Sequence, residues 1–359
     1  MTAPTAVADA EGDLIVCREG AAGFIRLNRP KAINAMTYEM SQGIDAALDR
    51  FEADPAVAVV ILEGAGERGL CAGGDIRGLY ESSKAGGDLG KVFWRQEYLM
   101  NARIAKFPKP YIAFMDGLVM GGGVGLSGHA RHRVVTEKTK LAMPEVGLGF
   151  FPDVGGTWLL PRSPGEIGTF FGLSGQTMNG PDAVFARFAD AVVPSARLPA
   201  LREALTAVRP DISSSEVDRI IAGFATGETS GPISARKADI DRWFAGDRME
   251  DIFGELRRDG SDFAQSTLKL LNEKSPRGMV VTLKLLRLGR RAASLEECLV
   301  REYRAALEVF RSDDFREGVR AAVIDKDRNP RWSPPRIEDV TPEMLAPYFR
   351  EIGADELVF

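Results

Sequence analysis

Cysteine and histidine are scarce in this chain of 359 residues, which has three of the first and two of the second. Cys17, Cys71 and Cys298 lie far apart with no CxxC spacing, which excludes a disulfide scaffold and points to reduced thiols in a cytoplasmic enzyme. His129 and His132 stand three apart without a nearby cluster of Cys, Asp or Glu, so no metal site is expected and both are read as structural. A net charge of -5 leaves no basic field for nucleic acid or anionic lipid. Any phosphate must then be met by local Lys and Arg residues or by helix ends. No charge-free apolar run is long enough to span a membrane. The start, MTAPTAVADAEGD, has neither the basic-then-apolar pattern of a secretion signal nor the arginines of a transit peptide. A GxxxxGK[ST] phosphate loop and a GxSxG nucleophile elbow are both missing.

What is present is the grammar of an α/β enzyme. Hydrophobic residues make up 45% and charged residues 27%, too apolar a mixture for disorder. Residues 14–28, LIVCREGAAGFIRLN, predict two short strands about a turn at 19–23. Residues 37–51 place Met40, Ile44, Ala47, Leu48 and Phe51 on one stripe of a helix. The run AVAVVILEGAG at 56–66 is a β-branched strand covered on both faces. KPYIAFMDGLVM then predicts a strand leading into Gly121, Gly122 and Gly123, VGLSGHAR a helix and RVVTEKTKL one short strand. After about Pro194 the strand signals fade and charged helical periodicity takes over, as in LEECLVREYRAALEVFR. The expected division is a core with the chemistry-bearing loops over 1–194 and a mainly helical segment over 195–359 that completes and covers it.

Three loops carry candidate chemistry. CAGGDI (71–76) and MGGGVGL (120–126) bring paired and tripled glycines whose exposed N–H groups suit an anionic oxygen. Two such loops suggest two donors on one oxygen, although structural turns remain the alternative. In AMPEVGLGFFPDVGG (142–156), Glu145 and Asp153 stand among Met143, Val146, Leu148, Phe150 and Phe151. Carboxylates in apolar surroundings resist ionisation, which suits acid–base or nucleophilic work. The alternative is that both acids cap helices, with Asp153 before VGG the fairer candidate. The four tryptophans, Trp94, Trp158, Trp243 and Trp332, are expected as core or interface anchors.

The segments LNRPKAINAM, CAGGDI, YIAFMDGLVMGGGVGLS, MPEVGLGFFPDVGGTWLLPR and FREGVRAAVIDKDRNPRW together resemble the 3-hydroxyisobutyryl-CoA hydrolase branch of the enoyl-CoA hydratase/isomerase (crotonase) superfamily. The match runs from about Leu14 to Trp332. The resemblance implies a spiral core of β-β-α turns with a helical C-terminal segment, and hydrolysis of a short 3-hydroxyacyl-CoA thioester. It places an oxyanion hole at the N–H groups of Gly74 and Gly122 and a catalytic pair on Glu145 and Asp153. Gly125 occupies the position of a second hydratase glutamate, which counts against the alternative of a hydratase or isomerase. A non-catalytic acyl-CoA-binding protein is the other alternative. Arg29, Lys31, Ala72 and Asp75 are the positions expected to meet coenzyme A, which is part of the substrate, so no cofactor is expected. A homo-oligomer is possible, as is common among such relatives.

Overall fold

The computed structural model describes residues 12–359. In chain order the strands and helices used below are β1 (Leu14–Glu19), β2 (Ala22–Leu27), α1 (Tyr38–Ala53), β3 (Val59–Gly64), β4 (Gly69–Cys71), α2 (Ile76–Lys84), α3 (Leu89–Ala105), β5 (Tyr111–Met115), β6 (Leu118–Met120), α4 (Gly122–Gly128), β7 (His132–Val135), β8 (Lys140–Ala142), α5 (Gly156–Leu159) and β9 (Ala191–Val192). The described residues form two compact units, residues 12–74, 99–141 and 178–232 in the first and 75–98, 142–177 and 233–359 in the second. The expected boundary at 194 coincides with neither. Each unit is assembled from distant stretches, so a change of composition along the chain does not mark it.

In the first unit, β1 and β2 form the expected hairpin, and β2, β3, β5, β7 and β9 follow as parallel neighbours in a six-stranded sheet. A second sheet has the order β4-β6-β8. Each of the pairs β3–β4, β5–β6 and β7–β8 therefore gives one strand to each sheet, the repeating step of the spiral. Two sequence expectations need correction here. KPYIAFMDGLVM is two strands of different sheets, because Gly117 at φ 69 turns the chain between them. RVVTEKTKL is also two strands, β7 and β8, separated by a turn in which the Thr136 N–H donates to Thr139 Oγ1 at 2.7 Å.

Thr37 caps α1 by accepting the Met40 N–H at 3.2 Å, satisfying one of the unpaired first-turn donors. The predicted stripe of Met40, Ile44, Ala47, Leu48 and Phe51 is buried in full. Burying a side chain such as Phe51 contributes roughly 1.5–3 kcal/mol. A core of Phe24, Ile61, Ile112, Phe114, Val134 and Val193 closes on the helices Leu198–Thr206 and Ser214–Ala222 through Leu201, Leu205, Val217 and Ile221. In the second unit, Trp94 and Trp243 are buried as expected. Among the described residues, no helix is long and apolar enough to cross a membrane.

Candidate active site

The first unit brings the two glycine loops together. β4 and β6 run parallel, with Cys71 opposite Val119, so CAGGD and MGGG leave the same end of neighbouring strands. A Cβ at Gly123 would fall 2.6 Å from the Cys71 carbonyl oxygen, so only glycine permits this approach. A Cβ at Gly73 would stand 3.8 Å from the Gly122 nitrogen. Gly122 is the first residue of α4, where an N–H has no partner within the helix. At Gly74 a parallel bridge to Met36 is made through the Gly73 carbonyl, which accepts the Met36 N–H at 2.9 Å. Gly123, Gly125 and Gly128 also have GxGxxG spacing, but they lie inside α4. The dinucleotide fingerprint opens the helix and is a different arrangement.

The positions expected to meet coenzyme A have unequal freedom. Arg29 is committed inward, donating to the Ala35 carbonyl at 2.6 Å and pairing with Asp13 at 3.3 Å. Lys31 is exposed. Its turn is zipped to the CAGGD loop by the Ala72 N–H, which donates to the Ile33 carbonyl at 2.9 Å. Asn34, which sequence reasoning passed over, secures that turn from a left-handed φ of 55. It accepts the Arg29 N–H at 2.9 Å and donates to the carbonyls of Ala65 and Gly69, each at 3.0 Å. Asp75 caps α2, accepting the Gly78 N–H at 3.5 Å. The histidines do not share a helix face. His129 ends α4, while His132 opens β7 and places Nδ1 2.8 Å from Asp218 Oδ1.

The second unit holds the carboxylates. Glu145 begins a 3-10 turn, Glu145–Leu148, that Gly149 ends at φ 68. Stacked Phe150 and Phe151, 4.6 Å apart, and Trp94, 5.2 Å from Phe150, pack the loop between the two acids. Both acids are buried, Glu145 at 7% and Asp153 at 6% exposure. Neither side chain caps a helix, so that alternative is not what the structure has. Asp153 Oδ2 accepts the Tyr98 hydroxyl at 2.7 Å. Burial pushes Asp153 up to about 7 against the lowering effect of that hydrogen bond. Burial and then the Asp153 charge hold Glu145 well above the ordinary carboxylate range, and its Oε2 is buried without a hydrogen-bond partner.

Two further acids join them. Glu97, on α3, is buried with Oε1 unpartnered. Burial, then the charges of Asp153 and Glu145, raise it well above its ordinary value. Glu302, in the Leu295–Phe310 helix, is fully buried. It accepts the Gly155 N–H at 2.7 Å, the Thr157 N–H at 2.9 Å and the Thr157 hydroxyl. It thereby caps the start of α5, the role the sequence offered to Asp153. Burial, opposed by these hydrogen bonds, leaves Glu302 at about 7. Both acids were missed, though a signal existed. Glu97 lies on the stripe of Phe93, Trp94, Met100 and Ile104, and Glu302 on that of Cys298, Leu299, Ala305 and Ala306. An acid on an apolar helical stripe is buried or the stripe is not a core face.

The chain belongs to the enoyl-CoA hydratase/isomerase family, whose model matches residues 22–349. It is 41% identical to the mitochondrial 3-hydroxyisobutyryl-CoA hydrolase of Rattus norvegicus, covering 97% of this chain and 91% of the relative. The corresponding figures for the Homo sapiens protein of that name are 39%, 98% and 92%. A crystal structure described as a carnitinyl-CoA dehydratase from Mycobacterium thermoresistibile is 41% identical with TM-score 0.91, covering 97% of this chain and 99% of that one. Another, described as an enoyl-CoA hydratase from Rhodobacter sphaeroides, is 43% identical with TM-score 0.88, covering 97% and 100%.

Proposed function

We propose that this protein hydrolyses the thioester of 3-hydroxyisobutyryl-CoA, or of a close short 3-hydroxyacyl-CoA, to the free hydroxy acid and coenzyme A. The observation that carries the reading is the buried pair of Glu145 and Asp153 beside Tyr98, on a chain about 40% identical over nearly its whole length to curated hydrolases of that ester. Glu145, once ionised, attacks the thioester carbonyl; the carbon–sulfur bond breaks, coenzyme A leaves as thiolate, and a mixed anhydride remains. Water then opens the anhydride and restores the carboxylate. The N–H groups of Gly74 and Gly122 take the charge that develops on the carbonyl oxygen, each contributing roughly 3 kcal/mol in the transition state. Asp153, held by Tyr98, orients the substrate hydroxyl or the incoming water. Glu97 adds a third buried acid to the cluster, its ionisation opposed by burial and by the charges of Asp153 and Glu145. Lys31 meets the coenzyme A phosphates, beside Ala72.

A second reading, hydration of an enoyl-CoA, is favoured by one observation: Glu97 brings another carboxylate under the influence of Glu145, in a chain whose own second hydratase position is Gly125. Incubation with 3-hydroxyisobutyryl-CoA and a thiol reagent separates the two. Rapid coenzyme A release supports hydrolysis; hydration of crotonyl-CoA without release overturns it. Glu145→Gln should lower kcat by about 10³-fold or more while ester binding persists, since nucleophile and general base alike need the carboxylate. A cytoplasmic setting belongs to the proposal, resting on the scarcity and wide spacing of Cys17, Cys71 and Cys298 along the chain, and cell fractionation tests it.

A further inference from the structure

We propose that Glu302 is a positioning residue of the carboxylate site, clamping the turn at Val154–Thr157 from the neighbouring helix and so holding Asp153 against Tyr98 while lending its own charge to the cluster. The inference rests on the hydrolase reading for its kinetic consequence and on geometry alone for the clamp.

The turn after Asp153 is unfavourable by itself. Val154 has φ 50 and Gly155 φ 81, two successive left-handed residues of which the first is β-branched, an outlier that surrounding structure must enforce. Glu302 bonds both sides of it, Oε2 to the Gly155 N–H and Oε1 to the N–H and hydroxyl of Thr157. The Gly156 N–H is taken by the Asp153 carbonyl at 2.6 Å. The amides of Gly155, Gly156 and Thr157 are thus all occupied, and Asp153 stands two residues before the first of them. On its other side Asp153 is held by Tyr98, whose ring packs edge-on against Tyr303, the residue next to Glu302, at 6.3 Å. One helix therefore supports Asp153 from both directions.

A cap needs only acceptors, which a hydroxyl or amide supplies without burying a charge. A fully buried carboxylate does more, because its ionisation opposes that of its neighbours. The titratable groups facing it are Asp153 and Glu145 from the 142–156 loop, Tyr98 from α3 and Cys298 from its own helix. With Glu302 ionised, Asp153 and Glu145 keep their protons to higher pH. Removing that charge lets them ionise earlier.

The test compares Glu302→Gln, Glu302→Asp and Thr157→Val with the unsubstituted enzyme over pH 4.5–9. Glu302→Gln retains one acceptor and loses the charge. Its kcat should fall about tenfold or more with KM changed less than about threefold, and the rising limb of kcat/KM should move down by about one pH unit. Glu302→Asp keeps the charge, and its limb should stay in place. Thr157→Val removes a hydrogen bond that favours ionised Glu302, so its limb should move down by less; as a mild substitution it decides the matter if Glu302→Gln does not fold. Loss of thermal stability with unmoved limbs in Glu302→Gln and Thr157→Val overturns the proposal and leaves a helix cap. The Asp153 carboxyl carbon signal in NMR, assigned with Asp153→Asn, gives the same midpoint without substrate. An inactive unsubstituted protein would thus defeat the hydrolase reading alone, while the NMR midpoint still decides on Glu302.

Discussion

Replacing Asp153 by asparagine exchanges one buried oxygen for an amide nitrogen and removes a titration from the interior. Its carboxyl stands at about 7 in the fold against an ordinary 3.8. At 1.36 kcal/mol for each pH unit, that distance comes to about 4 kcal/mol. The sign follows from proton binding. Between the two values the folded state holds a proton that the unfolded chain has released, so stability is full below about pH 4 and falls as pH rises through about 7. Asparagine does not titrate and still offers Tyr98 an oxygen. Its NH₂ group, if imperfectly paired, subtracts about 1–3 kcal/mol at every pH. The absolute gain is therefore smaller than 4 kcal/mol, but the pH dependence is unaffected by that constant. The stability difference, Asp153→Asn minus unsubstituted, should grow by about 3 kcal/mol between pH 5 and pH 8, because Asp153 has already lost part of its contribution at pH 5. Urea unfolding at several pH values in that range measures it, alongside thioester hydrolysis, which should be severely reduced. A difference flat across the range would refute the claim that Asp153 is held protonated by burial.

Tyr98→Phe removes the donor that favours the Asp153 carboxylate. A hydrogen bond to a charged group contributes about 1.5–3 kcal/mol, so the Asp153 carboxyl carbon signal in NMR should titrate about 1–2 pH units higher; an unmoved midpoint would show that Tyr98 does not favour the Asp153 carboxylate. Lys31→Glu should raise KM for the full coenzyme A ester well above its effect on a pantetheine ester, and equal effects on the two esters would remove Lys31 from phosphate recognition. Asn34→Ala deletes three hydrogen bonds and puts a Cβ-bearing residue without a compensating side chain at φ 55. It should cost about 2–4 kcal/mol in urea unfolding, and a loss below 1 kcal/mol would show that the 29–36 turn is held by its backbone alone.

Short-range pattern determined a good deal of this protein. The five apolar positions of α1, the β1–β2 hairpin and the doubly covered β3 follow from spacing within a few residues, because periodicity of 3.6 or 2 decides which side chains share a face. Glu145 and Asp153 were legible for a related reason: Met143, Val146, Phe150 and Phe151 sit within a few residues of them, and so many apolar neighbours in a loop imply burial. The division of β5 from β6 was not legible, since strands of different sheets look alike when each is short and apolar. Nor was the composition of the carboxylate cluster. Glu302 reaches Gly155 across 147 residues and Glu97 comes from another helix, in stretches whose many charges hide one buried acid. How hard a carboxylate is to ionise depends on what surrounds it in space, and for these four acids only tertiary packing supplies the surroundings.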